Sequence, residues 1–331
     1  MIDIETLPDL AARTFGGTVM AASDEFFADK ENLINDSAPT FQPHTFTPKG
    51  QQYDGWETRR RFGRTDGHDW VILRLGVPGV VRQLVVDTSF FVGNFPAHCS
   101  VEGTCAAGYP SASELSGWFP LLARSPLSGD KANVFDVDVP WRVTHVRLHI
   151  HPDGGVARFR VRGSVVLDPM DVTDVPFDLV ATANGGVVTE SSDGFFSPPS
   201  NMLQPGESRF MADGWETARR RDDGHDWAVI RTACAAVPRV AEIATTHYRG
   251  NSPARVALLG FAGGSWFPLL PPTDVQPDTT HRFRLSGQDT VDEVRLESYP
   301  DGGIARLRVY GQVPAESRAA LMDRWAVTTP K

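Results

Sequence analysis

The chain has 331 residues, 41% of them hydrophobic and 22% charged, with a formal net charge of −9. This is a globular composition, long enough for two cores, and its acidic balance argues against nucleic acid as a partner, because phosphate binding wants a basic face. Three scattered cysteines, none in a Cys-x-x-Cys pair, exclude a disulfide framework and a thiolate zinc site and point to a reducing compartment.

In chain order, the start Met1-Ile2-Asp3-Ile4-Glu5 is acidic and lacks the apolar segment of a signal peptide. No apolar run approaches the roughly 18 residues that span a bilayer. The expectation is a soluble, cytoplasmic protein with no membrane partner. Asp24-Glu25-Phe26-Phe27 comes next, then Asp54-Gly55-Trp56-Glu57-Thr58-Arg59-Arg60-Arg61 and Gly67-His68-Asp69-Trp70. Strands are expected over 70–75, ended by Gly76 and Pro78-Gly79, and over 80–88. Gly93-Asn94-Phe95-Pro96 and Gly117-Trp118-Phe119-Pro120-Leu121-Leu122 follow, with further strands over 135–139, 143–150 and 157–165. His151-Pro152-Asp153-Gly154-Gly155-Val156-Ala157-Arg158 lies between the last two.

The series then repeats. Asp193-Gly194-Phe195-Phe196, Asp213-Gly214-Trp215-Glu216-Thr217-Ala218-Arg219-Arg220-Arg221, Gly224-His225-Asp226-Trp227, Gly250-Asn251-Ser252-Pro253, Ser265-Trp266-Phe267-Pro268-Leu269-Leu270 and Tyr299-Pro300-Asp301-Gly302-Gly303-Ile304-Ala305-Arg306 recur in the same order. The offset shrinks from 169 to 148 residues, so the first copy is longer, mainly between Phe27 and Asp54 and between Pro96 and Trp118. A period of this size is a whole domain. Domains 1–170 and 171–331 are expected, with the break inside 166–175.

Alternating strands, regular turns and no βαβ rhythm predict an all-β chain of two tandem jelly-roll β-sandwiches, internally duplicated. Pro-Asp-Gly-Gly reads as a tight turn joining two long strands. The tryptophans read as core anchors. A short helix is expected over 316–325.

These duplicated strings resemble the allantoicase family across roughly 15–313. The resemblance implies two galactose-binding-like jelly rolls and a hydrolase of purine (allantoin) degradation, converting allantoate and water to (S)-ureidoglycolate and urea. It also implies a homo-oligomer. Some members need a divalent metal such as manganese and others do not, so the cofactor stays open.

That reaction needs a cation for the substrate carboxylate, a proton donor for the departing urea, a base or metal for water, and an amide for the ureido carbonyls. The repeated motifs supply each type. Glu57, His68 and Asp69, with Glu216, His225 and Asp226, are the catalytic candidates. Arg59, Arg60 and Asn94, with Arg219, Arg220, His247 and Asn251, are the substrate-binding candidates. Each has a structural alternative. The arginines can form ion pairs, the His-Asp pair can cap a turn, and Gly93-Asn94 can be a tight turn. If the block is extended, Arg60 cannot point the same way as Arg59 and Arg61.

The copies differ at Phe90-Phe91-Val92 against His247-Tyr248-Arg249, and at His149-Ile150-His151 against Glu297-Ser298-Tyr299. His149 and His151 share one strand face and are the metal candidates. A non-catalytic tandem module binding carbohydrate or another small ligand is the alternative function, since fold does not fix function.

Overall fold

The computed structural model describes residues 7–62, 67–172 and 175–330. The acidic start 1–5 and part of the expected domain break lie outside them. Two compact units divide between Val166 and Leu167, and the last residues of the chain, from Val327, group with the first unit.

In the first unit the strands are β1 (Thr18–Ala22), β2 (Phe46–Thr47), β3 (Gly50–Gln51), β4 (Trp56–Glu57), β5 (Asp69–Asp87), β6 (His98–Thr104), β7 (Phe119–Pro126), β8 (Ala132–Asp136), β9 (Arg142–His151), β10 (Gly155–Val156) and β11 (Arg158–Val165). One layer has the order β1-β5-β9-β6-β7, and the second half of β5 pairs instead with β11 and β8. The strands expected over 70–75 and 80–88 are therefore one bent strand shared by two layers. Two glycines allow the bend. A Cβ on Gly76 would sit 2.5 Å from the Phe15 carbonyl, and one on Gly79 would sit 2.7 Å from the Ser164 carbonyl oxygen.

The core lies between the layers. Val71, Leu73, Leu148, Ile150 and Val101 from one layer meet Leu84, Val86, Phe159 and Val161 from the other. Along β9, Val146, Leu148 and Ile150 are buried while Arg147, His149 and His151 alternate onto the outer face. Trp56 and Trp215 are fully buried, as expected of core anchors. Trp70 and Trp227 are not. Each follows an inward aspartate on its strand, and so faces outward, half-buried.

Pro-Asp-Gly-Gly differs from the expectation in another way. It leads from β9 to β11, which do not pair with each other; each pairs with β5. The segment carries the chain from one layer to the other.

The second unit repeats the plan with β12 (Phe177–Asp178), β13 (Val187–Ser191), β14 (Trp215–Glu216), β15 (Asp226–Ala244), β16 (Arg255–Ala262), β17 (Ser265–Asp274), β18 (Thr280–Arg284), β19 (Val291–Tyr299), β20 (Gly303–Ile304) and β21 (Arg306–Gln312). Its bent strand is β15, joined to β13 and β19 in its first half and to β21 and β18 in its second. Helix α1 (Ala315–Val327) follows the last strand. No helix among the described residues is long and apolar enough to cross a membrane.

Candidate active site

The two signature strings of each repeat meet in space. β4 pairs with β10, setting Glu57 opposite Gly155 and Trp56 opposite Val156, and β14 pairs with β20 in the same way. Each motif residue then acquires a task. Asp54 accepts a 2.8 Å hydrogen bond from Arg158, which is 1% exposed and also donates to the Asp54 and Ala157 carbonyls. Asp213 and Arg306 form the corresponding pair. Gly55 leaves room that the Phe91 ring and the Val156 carbonyl would deny a side chain. Trp56 fills the core and donates its indole N–H to the Asp24 carbonyl at 2.7 Å. Thr58 Oγ1 accepts the Gly154 amide at 3.2 Å. These contacts build the ribbon and leave Glu57 and Arg60 for other work.

Asn94 Nδ2 donates to Glu57 Oε1 at 2.8 Å. Both residues line a cavity of ≈ 730 Å³ together with Arg60, Arg61, Tyr53, Phe27 and Gln51. Burial raises the pKa of the Glu57 carboxyl; the hydrogen bond from Asn94 and the charge of Arg60 pull the other way and do not cancel it. The cavity thus holds an acid that keeps its proton to higher pH than an ordinary glutamate, an amide that orients it, and a guanidinium.

The arginines, which lie outside any strand, divide by their partners rather than by alternation. Arg59 turns away and pairs with Asp24 at 2.6 Å. Arg61 pairs with Asp69 at 2.6 Å, and its backbone N–H donates to Asp153. Arg60 is exposed, lines the cavity and enters no ion pair among the described residues. In the second unit Arg220 takes the Arg61 role, 2.7 Å from Asp226, and Arg219 is the counterpart of Arg60. Of the expected carboxylate clamps, Arg59 and Arg220 are thus held by aspartates.

The His-Asp candidates do not join Glu57. Asp69 is 2% exposed and is held by Arg61 and Ser23. Asp226 is held by Arg220 and Ser192. His68 lies at the outer face of the sheet. Its Nε2 is 2.8 Å from His149 Nδ1, and His149 Nε2 is 2.9 Å from Glu102, which Arg147 also grips. Burial lowers the pKa of all three histidines, that of His151 to about 4. In the second unit the acid moves to the other strand: His225 Nε2 lies 2.8 Å from Glu297 Oε2, and the Tyr299 hydroxyl donates to that oxygen at 2.5 Å.

The metal candidates are already engaged. His149 has a partner at each ring nitrogen, and His151 Nε2 is 3.1 Å from Ser100 Oγ. Among the described residues no group of three or more His, Cys, Asp or Glu is arranged to hold an ion. As placed, these side chains do not fit a manganese site.

The asymmetry between the copies has a structural origin. In the first unit the longer 28–53 segment folds the β2–β3 hairpin beside the cavity. Phe90, Phe41, Tyr53 and Phe91 stack in sequence, with ring centroids 5.7, 5.4 and 4.8 Å apart. In the second unit His247 Nε2 bonds the Ser208 carbonyl at 2.8 Å and Tyr248 donates to the Met211 carbonyl at 2.6 Å. His247, expected to bind substrate, fastens a shorter loop. Glu216 and Asn251 repeat the Glu57–Asn94 bond at 2.6 Å. Tyr53 and Gln51 were not singled out from the sequence, and the signal for them was the extra length between Phe27 and Asp54; Phe27 ends the repeated Asp24-Glu25-Phe26-Phe27 string.

Comparison with known proteins covers more than nine-tenths of the chain. It is 50% identical to a "Probable allantoicase" of Nocardia farcinica over 93% of this chain and 94% of that protein. It is 35% identical to an "Allantoicase" of Dictyostelium discoideum over 92% and 87%. It superposes on the crystal structure of allantoicase from Saccharomyces cerevisiae with a TM-score of 0.78 at 34% identity, covering 92% of each chain. A family model described as the allantoicase repeat matches residues 8–166 and again 177–314, and the chain belongs to the allantoicase family.

Proposed function

We propose that the protein hydrolyses allantoate to (S)-ureidoglycolate and urea, and that the first-unit cavity houses the reaction. The observation that carries this reading is Glu57, a carboxyl with a raised pKa, fixed by Asn94 beside Arg60 in a cavity of ≈ 730 Å³. Such a combination of cavity, perturbed acid and convergent polar groups marks a reaction site.

Arg60 binds the allantoate carboxylate. Asn94 occupies Glu57 Oε1, so the proton sits on Oε2. Glu57 gives that proton to the nitrogen of one ureido arm as its bond to the central carbon breaks, and urea departs with the electron pair. The lone pair on the nitrogen of the remaining arm stabilises the cationic carbon. Water attacks that carbon, Glu57 takes a proton from it, and the acid is restored. One water is consumed, and one urea and one ureidoglycolate are released.

The decisive experiment is urea release by Glu57→Gln and Glu216→Gln, made separately. The first should lose turnover while staying folded. Full activity in Glu57→Gln would overturn the assignment. The reading extends to a homo-oligomer, supported by the family resemblance, working in the cytoplasm, supported by the scattered unpaired cysteines; light scattering and cell fractionation test those two parts.

A further inference from the structure

The second unit retains the polar parts of the first-unit cavity without its wall. Glu216 and Asn251 are bonded at 2.6 Å. The frame beneath them is the same: Arg220 N–H donates to Asp301, as Arg61 N–H does to Asp153, and Gly302 N–H donates to Thr217 Oγ1, as Gly154 N–H does to Thr58 Oγ1. Frame contacts account for Thr217 and Arg220. They do not account for Arg219, which stands where Arg60 stands, is exposed, and enters no hydrogen bond or ion pair among the described residues.

Two replacements each add an arginine here, while Ala218 takes the place of Arg59 and Asp222-Asp223 follow directly on Arg221. Arg221 stands in place of Phe62, and Arg249 in place of Val92. Arg249 is paired with Asp278 at 2.9 Å, whereas Arg221, like Arg219, is exposed and without a protein partner among the described residues. The wall is gone because the interval from Phe196 to Asp213 is shorter than that from Phe27 to Asp54. Among the described residues this interval forms short helical turns and no hairpin, and Phe196 is 62% exposed against 37% for Phe27.

We propose that the second unit carries its own open site, which binds a small ureido-substituted carboxylate without turning it over. Arg219 holds the carboxylate, and the Glu216–Asn251 pair meets the ureido group as donor and acceptor. Binding and reaction separate because Arg219 and Asn251 suffice for recognition, while nothing encloses the reacting carbon and excludes bulk water from it. The proposal rests on the reading of the first-unit cavity as the reaction site, since it assigns the same chemistry to matching residues.

The test uses N-carbamoylglycine, which carries a carboxylate and one ureido arm on a single carbon and has no second urea to lose. Calorimetric titration of the full chain should show two equivalents bound. Arg219→Ala should remove one, and Arg60→Ala the other. Because Arg219 is exposed, its substitution leaves the fold intact, and Asn251→Ala provides an independent second variant with the same expected loss. A single equivalent that Arg60→Ala abolishes and Arg219→Ala leaves untouched would overturn the proposal. A single equivalent abolished by Arg219→Ala alone would instead overturn the first-unit reading and keep a ligand site in the second unit.

Discussion

Arg61 and Asp69 are joined by a 2.6 Å ion pair in which the aspartate is 2% exposed, and Arg220 and Asp226 repeat it at 2.7 Å. The pair ties the end of one signature string to the start of the bent strand that both layers share. Removing the arginine leaves an uncompensated buried carboxylate. Arg61→Ala should therefore cost about 3–5 kcal/mol, measured as a shift of the urea or guanidinium midpoint at unchanged slope. Arg59→Ala, which breaks an exposed pair with Asp24, should cost about 1 kcal/mol or less.

Glu57→Gln keeps the shape of the side chain and removes the exchangeable proton. The variant should lose about 10²–10⁴-fold in kcat while its KM and thermal midpoint stay near those of the parent. Urea release and thermal unfolding check the two halves of this expectation. Glu216→Gln should leave kcat within a small factor of the parent.

The pH dependence follows from the direction of the Glu57 shift. Its folded pKa lies above the unfolded value because burial disfavours the charged form. The protonated acid is the active form in the bond-breaking step, so that step should slow as pH rises through the raised pKa. The stability linked to this group has the same sign: it is fully present below the unfolded pKa and is lost as pH rises through the folded one. Glu57→Gln should flatten that part of the stability profile, and denaturant unfolding across the acidic-to-neutral range measures it.

Arg60 is the cavity cation without an ion-pair partner among the described residues. Arg60→Ala should raise the KM for allantoate by roughly 10-fold or more, in line with about 1.5–3 kcal/mol for a charge-assisted hydrogen bond, and Arg60→Lys should recover part of it. Steady-state kinetics separate this from a fall in kcat alone.

Tyr53 joins the aromatic stack that walls the first-unit cavity, its ring 4.8 Å from Phe91. Tyr53→Ala should weaken substrate binding and loosen the β2–β3 hairpin with little loss of global stability. Faster amide exchange confined to 40–53, with the core strands unchanged, is the expected readout.

The sequence by itself determined the duplication, the all-β character and the family, because turn residues, alternation and repeated strings are local and survive without knowledge of contacts. It also named Glu57 and Asn94 among its candidates, since two separate strings repeat a carboxylate and an amide in both copies. Only the tertiary structure decided how three consecutive arginines divide between two ion pairs and a cavity. It alone showed that Asp69 is sealed beneath Arg61, and that His68 is bonded to His149 and not to Glu57. It also decided that Trp56 is core while Trp70 is not. The reason is that those outcomes depend on which residue, distant in sequence, lies opposite: Asp24 for Arg59, Asp69 for Arg61, Asn94 for Glu57. A bent strand shared by two layers brings those partners together, and its bend rests on close backbone approaches at Gly76 and Gly79 that no local pattern announces.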